Sequence, residues 1–182
     1  MAEAKDPWLD DIKAKRQDAL EAFVRAHTAP LVRYLAGMVR NRADAEELAQ
    51  ETFLRFATSL DSFRGDCSTR SFLFRIGHNL ALNHLASATV QREILTGEVP
   101  EGRNPGRSPD SDTLEEERNI RLRRVLKTLP TQQRSVVILR TWLDLSFREI
   151  AEVLSLAEGT VKAHYFFGLR NLRKTLEVSC DA

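Results

Sequence analysis

Ile94 to Thr113 most constrains what this chain can fold into. Six of these twenty residues are glycine or proline: Gly97, Pro100, Gly102, Pro105, Gly106 and Pro109. The stretch has no hydrophobic periodicity and cannot bury enough apolar surface to offset the entropy of ordering it. It therefore reads as a flexible linker. It divides the chain into two small helical units of roughly 90 and 65 residues, each able to fold but neither with a large core. Their boundaries fall at 18–93 and 118–177, with 94–117 as linker and 1–17 as an N-terminal extension or the start of the first helix. Strand signals are missing, since no alternating β-branched runs or Asn-Gly and Asp-Gly turns occur. The expected class is all-α.

The first unit reads as four helices. Ala19 to His27 is amphipathic through Leu20, Phe23 and Val24. Pro30 then suits the first turn of a second helix, continued by Leu31, Leu35 and Val39. Asp44 is the expected cap of a third, with Leu48, Ala49, Thr52, Phe53, Phe56, Ala57 and Leu60 inward. A fourth runs from Thr69 to Ala88, with Phe72, Leu73, Ile76, Leu80 and Leu85 inward.

In the second unit, Leu114 to Thr128 is helical and Leu129-Pro130 stops it. Thr131 caps the next helix, buried through Val136, Val137, Leu139 and Trp142. Leu145 to Lys162 then reads as helix, tight turn, helix. Ser146 and Glu149 form a capping box. Ile150, Ala151 and Leu154 make an apolar stripe, with Ala151 small where helices cross. Glu158-Gly159-Thr160 opens the second helix, which turns Val161 inward and Lys162 and His164 outward. Such a unit either presents its second helix to the DNA major groove or is an ordinary helical hairpin inside a bundle, and its context decides.

Charge supports a nucleic-acid partner once it is resolved along the chain. Residues 1–93 are balanced at 13 basic and 13 acidic side chains. Residues 94–117 hold 2 basic and 7 acidic, and residues 118–182 hold 12 basic and 6 acidic. The overall +1 thus hides a basic footprint on the helix-turn-helix. No apolar run approaches the roughly 20 residues of a bilayer span, and Met1 to Asp11 has no signal-peptide core. A cytoplasmic protein without membrane insertion is expected. Cys67 and Cys180 match no metal spacing and are expected to be reduced thiols. His27, His78, His84 and His164 are scattered without acid or nucleophile partners, so no catalytic residues, metal or cofactor are expected.

Three segments together resemble the extracytoplasmic-function branch of the sigma-70 family. Asp44-Ala45-Glu46-Glu47-Leu48-Ala49-Gln50-Glu51-Thr52-Phe53-Leu54 is similar to its region 2.2. Leu60-Asp61-Ser62-Phe63-Arg64-Gly65-Asp66, with Phe72 to Leu85, is similar to regions 2.3 and 2.4. Leu129-Pro130, Gln133-Arg134 and Leu145 to Lys162 are similar to region 4. The resemblance covers about residues 18–88 and 118–176. It implies a protein that binds core RNA polymerase and directs it to promoters, melting and reading the −10 element with the first unit and the −35 element with the second. An anti-sigma factor and a stress or envelope signal are implied with it. The residues following Leu176 leave no room for a further domain, and none is expected.

The resemblance assigns roles residue by residue. Glu47, Gln50, Glu51 and Leu54 recur at helical steps away from the core, and in the family this strip docks on the clamp helices of the largest polymerase subunit. Phe63 and Arg64 sit on a loop extending to Ser68 or Thr69, suited to stacking and phosphate contact with single-stranded DNA, although Phe63 equally suits a plug beneath that loop. Arg75, Asn79, Asn83 and His84 line the next helix. On the recognition helix, the candidates are Glu158, Gly159, Thr160, Lys162, Ala163, His164, Phe166 and Phe167, continued by Arg170, Arg173 and Lys174.

The chain departs from the family at three places. Many members carry Arg where His164, Phe167 and Leu169 stand, and Tyr165 and Leu169 are expected in the core. Phe166 or Phe167 could face thymine methyls or the polymerase flap. Ser155 replaces the Gly common in such turns, which costs little if φ stays negative. Ala86-Ser87-Ala88-Thr89 replaces a basic run. The promoter sequence stays open. A stand-alone DNA-binding regulator and a helical adaptor are the rival readings. The first leaves the Glu47–Leu54 strip and the Phe63 loop without a task, and the second predicts no salt-dependent DNA affinity.

Overall fold

The computed structural model describes residues 6–14, 16–39, 41–96 and 122–180, with side chains through 87 in the fourth helix and through 176 in the last. Residues 97–121, which hold the expected linker beyond Thr96 and the start of the second unit, lie outside that description. Every regular element among the described residues is a helix. They are α1 (Leu9–Lys13), α2 (Gln17–Met38), α3 (Arg42–Ser59), a 3-10 turn (Leu60–Ser62), α4 (Thr69–Thr96), α5 (Thr131–Trp142), α6 (Phe147–Leu154) and α7 (Glu158–Cys180). A short helical stretch over residues 122–127 precedes α5.

The first unit still has four helices, divided differently from expectation. Pro30 does not start a helix; it lies inside α2. Proline removes one backbone bond and crowds the preceding turn. Here Phe23, Leu31, Tyr34 and Leu35, on both sides of the break, are completely buried in one core. Burial of each large side chain contributes about 1.5–3 kcal/mol, which outweighs the roughly 3 kcal/mol proline penalty. The fourth helix is α1, within the supposed extension. Ile12 is fully buried, and Trp8 packs edge-on against Phe23 at 5.6 Å. The Asp6 carboxylate accepts from the Thr69 amide at 2.6 Å.

Caps shift as well. Asn41 caps α3, its side chain accepting from the Asp44 amide at 2.8 Å, so Asp44 stands in the first turn. There its charge still favours the helix dipole. Thr131 is the first residue of α5 and follows Pro130, which supplies no side-chain cap. In α3 the buried residues are Ala45, Ala49, Thr52 and Phe56, while Ala57 is exposed and Leu48 and Phe53 are half-buried. The α4 helix continues to Thr96, past the expected Ala88.

The two units share one apolar core from Ile12 to Val161. The α2 helix packs on α5, and α4 packs on α6. At Gly37 an added Cβ would come within 2.6 Å of Ile138 Cδ1 and 3.2 Å of Trp142 Cζ3. The missing side chain is what lets α5 approach. The Arg134 guanidinium donates to the Met38 carbonyl at 3.1 Å, and Arg70 donates to the Leu143 carbonyl at 2.7 Å. Burial holds Arg134 below the ordinary arginine pKa, and its Nε is buried with no hydrogen-bond partner.

Candidate nucleic-acid and polymerase interface

Three surfaces carry the predicted residues. The first lies along α3. Gln50 and Leu54 line a groove of about 1480 Å³ between α2 and α3, together with Phe53, Val24 and Val32. Leu122 and Trp142 of the second unit line it too. Leu54 is 64 % exposed, a large apolar side chain left in water. Glu47 and Glu51 are not among the groove residues. Glu47 is exposed and Glu51 pairs with Arg55 at 2.6 Å. Val24 and Phe53, assigned to the core from periodicity, stand at its edge. Val32 and Arg33, also lining the groove, were missed by sequence reasoning; the signal was their position on α2, away from its buried stripe.

The second surface is the loop before α4 and the side of that helix. The Phe63 ring is 6 % exposed. It stacks on Phe72 at 4.4 Å and 12°, with the Lys13 ammonium 5.8 Å from its centroid. Here Phe63 is a plug. Arg64 is exposed, and its carbonyl accepts from Lys13 at 3.4 Å. The Ser68 hydroxyl caps α4 by accepting from the Ser71 amide at 3.0 Å. Arg75 lies 5.4 Å over Phe72 and 4.0 Å from Asp66. Asn79 and Asn83 are exposed on one face, while His84 is held at 3.1 Å by the Asp44 carboxylate.

The third surface is the helix-turn-helix. The capping box is present in both directions: the Glu149 amide donates to Ser146 Oγ at 3.2 Å, and the Ser146 amide donates to Glu149 Oε2 at 2.7 Å. Ile150, Val153 and Leu154 are buried. Ser155 does adopt a positive φ, 54°, contrary to expectation, and so does Asp144 at 51°. The left-handed Ser155 ends α6 by donating its amide to the Ala151 carbonyl. A residue with a Cβ costs about 1–2 kcal/mol there. The tight helix crossing is at Gly168, where a Cβ would be 2.8 Å from Val137 Cγ2. Ala151 instead faces a cleft toward the first unit.

On α7, Val161 is buried and Tyr165 packs edge-on against Phe147 at 5.5 Å. Leu169 is 41 % exposed, and the half-buried Leu172 packs against the core. Leu169 is one residue past Gly168, which occupies the inward position, so the helical phase turns it out. Glu158 pairs with Lys162 at 2.6 Å, and Lys162 lies 5.9 Å from the Phe147 ring centroid. Gly159 has open space around it. Thr160, Ala163, Arg170, Arg173 and Lys174 are exposed, and His164 is half-buried. Phe166 and Phe167 are 63 % and 47 % exposed, their rings edge-on at 5.6 Å.

The second and third surfaces meet. Asp66, Cys67 and Arg75 face Arg148, Glu152 and Glu158 across a cleft of about 460 Å³. Burial pushes the Cys67 thiol up to about 11, so it stays protonated near neutrality. Among the described residues no cluster of His, Cys, Asp and Glu could hold a metal, and no helix is long and apolar enough to cross a membrane.

Known proteins match these same segments. Residues 23–90 match the family described as Sigma-70 region 2, and residues 119–172 match Sigma-70, region 4. The sigma-E factor of RNA polymerase from Streptomyces avermitilis is 30 % identical over 86 % of this chain and 84 % of its own length. The ECF RNA polymerase sigma factor BldN of Streptomyces coelicolor is 31 % identical over 92 % of this chain, which spans 64 % of that protein. RNA polymerase sigma factor YlaC of Bacillus subtilis is 28 % identical over 91 % of this chain and 96 % of its own length. Among solved structures, CnrH in complex with the cytosolic domain of CnrY has a similar fold, with a TM-score of 0.74 at 22 % identity over 97 % of this chain and 99 % of that one.

Proposed function

This chain belongs to the sigma-70 family, in its extracytoplasmic-function branch, and from that premise we infer that it binds core RNA polymerase and selects promoters by their −35 and −10 elements. The observation that carries the reading is the pairing of a basic helix-turn-helix with an apolar-edged groove along α2 and α3 of the first unit. A DNA-binding regulator acting alone leaves Leu54 and the groove without a task. Gln50 and Leu54 would meet the polymerase clamp helices, with Glu47 and Glu51 beside them. Arg64, Arg75, Asn79 and Asn83 would contact the melted −10 strand, and the exposed face of α7 would enter the −35 major groove. The protein has no chemistry of its own in this reading, works in the cytoplasm and answers to an anti-sigma factor. Of the proteins with a similar fold, RpoE of Bartonella quintana is described in complex with the anti-sigma factor NepR, and CnrH in complex with the cytosolic domain of CnrY.

Geometry adds a requirement. The two readers border one cleft, whereas the elements they read are about 25 base pairs apart, roughly 85 Å of duplex at 3.4 Å per pair. The units must separate to meet one promoter. Alone, each makes few phosphate contacts and binds duplex weakly; polymerase fixes their spacing and joins two weak contacts into one strong one.

The test is co-elution with purified core polymerase on a sizing column. Wild-type protein is expected to travel with polymerase, and Gln50→Ala/Glu51→Arg to elute free. If the wild type also elutes free at low salt, the polymerase role is wrong.

A further inference from the structure

The recognition helix carries an unusual stripe. Gly159, Ala163, Phe166, Phe167 and Arg170 recur at three- and four-residue steps on one side of α7. Val161, Gly168 and the half-buried Leu172 hold the opposite side to the core. The stripe begins small, continues as two exposed phenyl rings and ends in cations. From Gly159 to Phe167 it covers eight steps, about 12 Å at 1.5 Å per residue, which is three to four base pairs at about 3.4 Å each.

Both rings are left in water at a cost, and their own contact at 5.6 Å covers only their edges. Lys162 lies before them and Arg170, Arg173 and Lys174 after them, all exposed. A surface that complements this face must be anionic along its length and apolar at a central spot. The major groove supplies both features where thymines fall: phosphates along the walls and C5-methyl groups on the floor. Resting on the −35 assignment above, we propose that Phe166 and Phe167 read thymine C5-methyl groups in the −35 element.

The rings then determine specificity at one or two positions. The helix N-terminus and Lys162 anchor phosphates or a neighbouring base, which sets the register. Arginine in place of a ring would hydrogen-bond guanine rather than touch a methyl, so the base preferred at that position changes with the side chain.

The experiment uses the protein reconstituted with core polymerase and promoter fragments randomised over the −35 element. Wild-type holoenzyme is expected to enrich thymine at one or two positions. Replacing those thymines by deoxyuridine removes only the methyl and is expected to weaken binding about fourfold per methyl. Phe166→Ala/Phe167→Ala is expected to lose both the enrichment and the deoxyuridine effect, and Phe167→Arg to shift the preferred base to guanine. Circular dichroism melting controls for folding.

Three results overturn the proposal. One is sequence selection without thymine enrichment or any methyl effect, which leaves the sigma reading intact. Another is a double-alanine holoenzyme that keeps the wild-type thymine enrichment and deoxyuridine effect, or a double-alanine variant that folds but no longer co-elutes with polymerase, which makes the rings a protein contact. The last is wild-type holoenzyme that forms but selects nothing, which removes −35 reading itself.

Discussion

His78 shows how a single buried side chain ties this fold to pH. Its Nδ1 lies 2.8 Å from the Tyr34 hydroxyl, and burial lowers its pKa from 6.5 to about 4. Burial lowers His27 as well. Between those values the unfolded chain binds a proton that the folded chain refuses. The stabilisation is therefore complete above pH 6.5 and is lost as pH falls toward 4. The full shift corresponds to roughly 3 kcal/mol. Urea unfolding at pH 7 and pH 5 is expected to show wild-type protein losing stability, and His78→Asn losing less of it. Equal losses would mean that His78 carries none of the slope. None of this was legible in the sequence, where His78 reads as one of four scattered histidines. Phe63 was half legible: an aromatic between polar neighbours fits a base-stacking ring and a plug alike, and only the position of Phe72 beneath it decides.

Elements were easier to read than their ends. Periodicity found the inner faces of α3 and α4, because a 3.6-residue repeat is a property of the chain itself. It could not tell whether Pro30 starts a helix or interrupts one, because the answer depends on tertiary burial on both sides. The capping box at Ser146 was fully legible, being a contact between residues three apart. Ser146→Ala removes the acceptor of the Glu149 amide and is expected to cost about 1 kcal/mol, read as a lower thermal midpoint. Ser146→Asp keeps an acceptor there and is expected to recover most of the loss. The phase of α7 was misread at Leu169 because the three aromatics before it, Tyr165 to Phe167, offered several plausible stripes. Gly168, pressed on Val137, settles the phase.

At the scale of the molecule the sequence reads as two units, and the structure joins them through a single core. The seam was invisible beforehand because Gly37, Met38 and Ile138 look like ordinary core residues of their own helices. Only contact shows that they face each other. Gly37→Leu places a side chain where Ile138 and Trp142 now stand, near the end of α2 and with no first-unit atom among its nearest neighbours. Small-angle scattering is expected to give a larger radius of gyration for this variant than for wild type; an unchanged radius would mean that the seam absorbs the side chain without parting. The seam also enters the dose-response of every partner that requires the extended form. If one molecule in a hundred is extended at rest, such a partner shows an apparent dissociation constant about a hundredfold weaker than its intrinsic one. A glycine buried between the two units would thereby set how much polymerase half-saturates the protein, and the wedged variant, extended in advance, is expected to be the tighter competitor for a limiting pool of core enzyme.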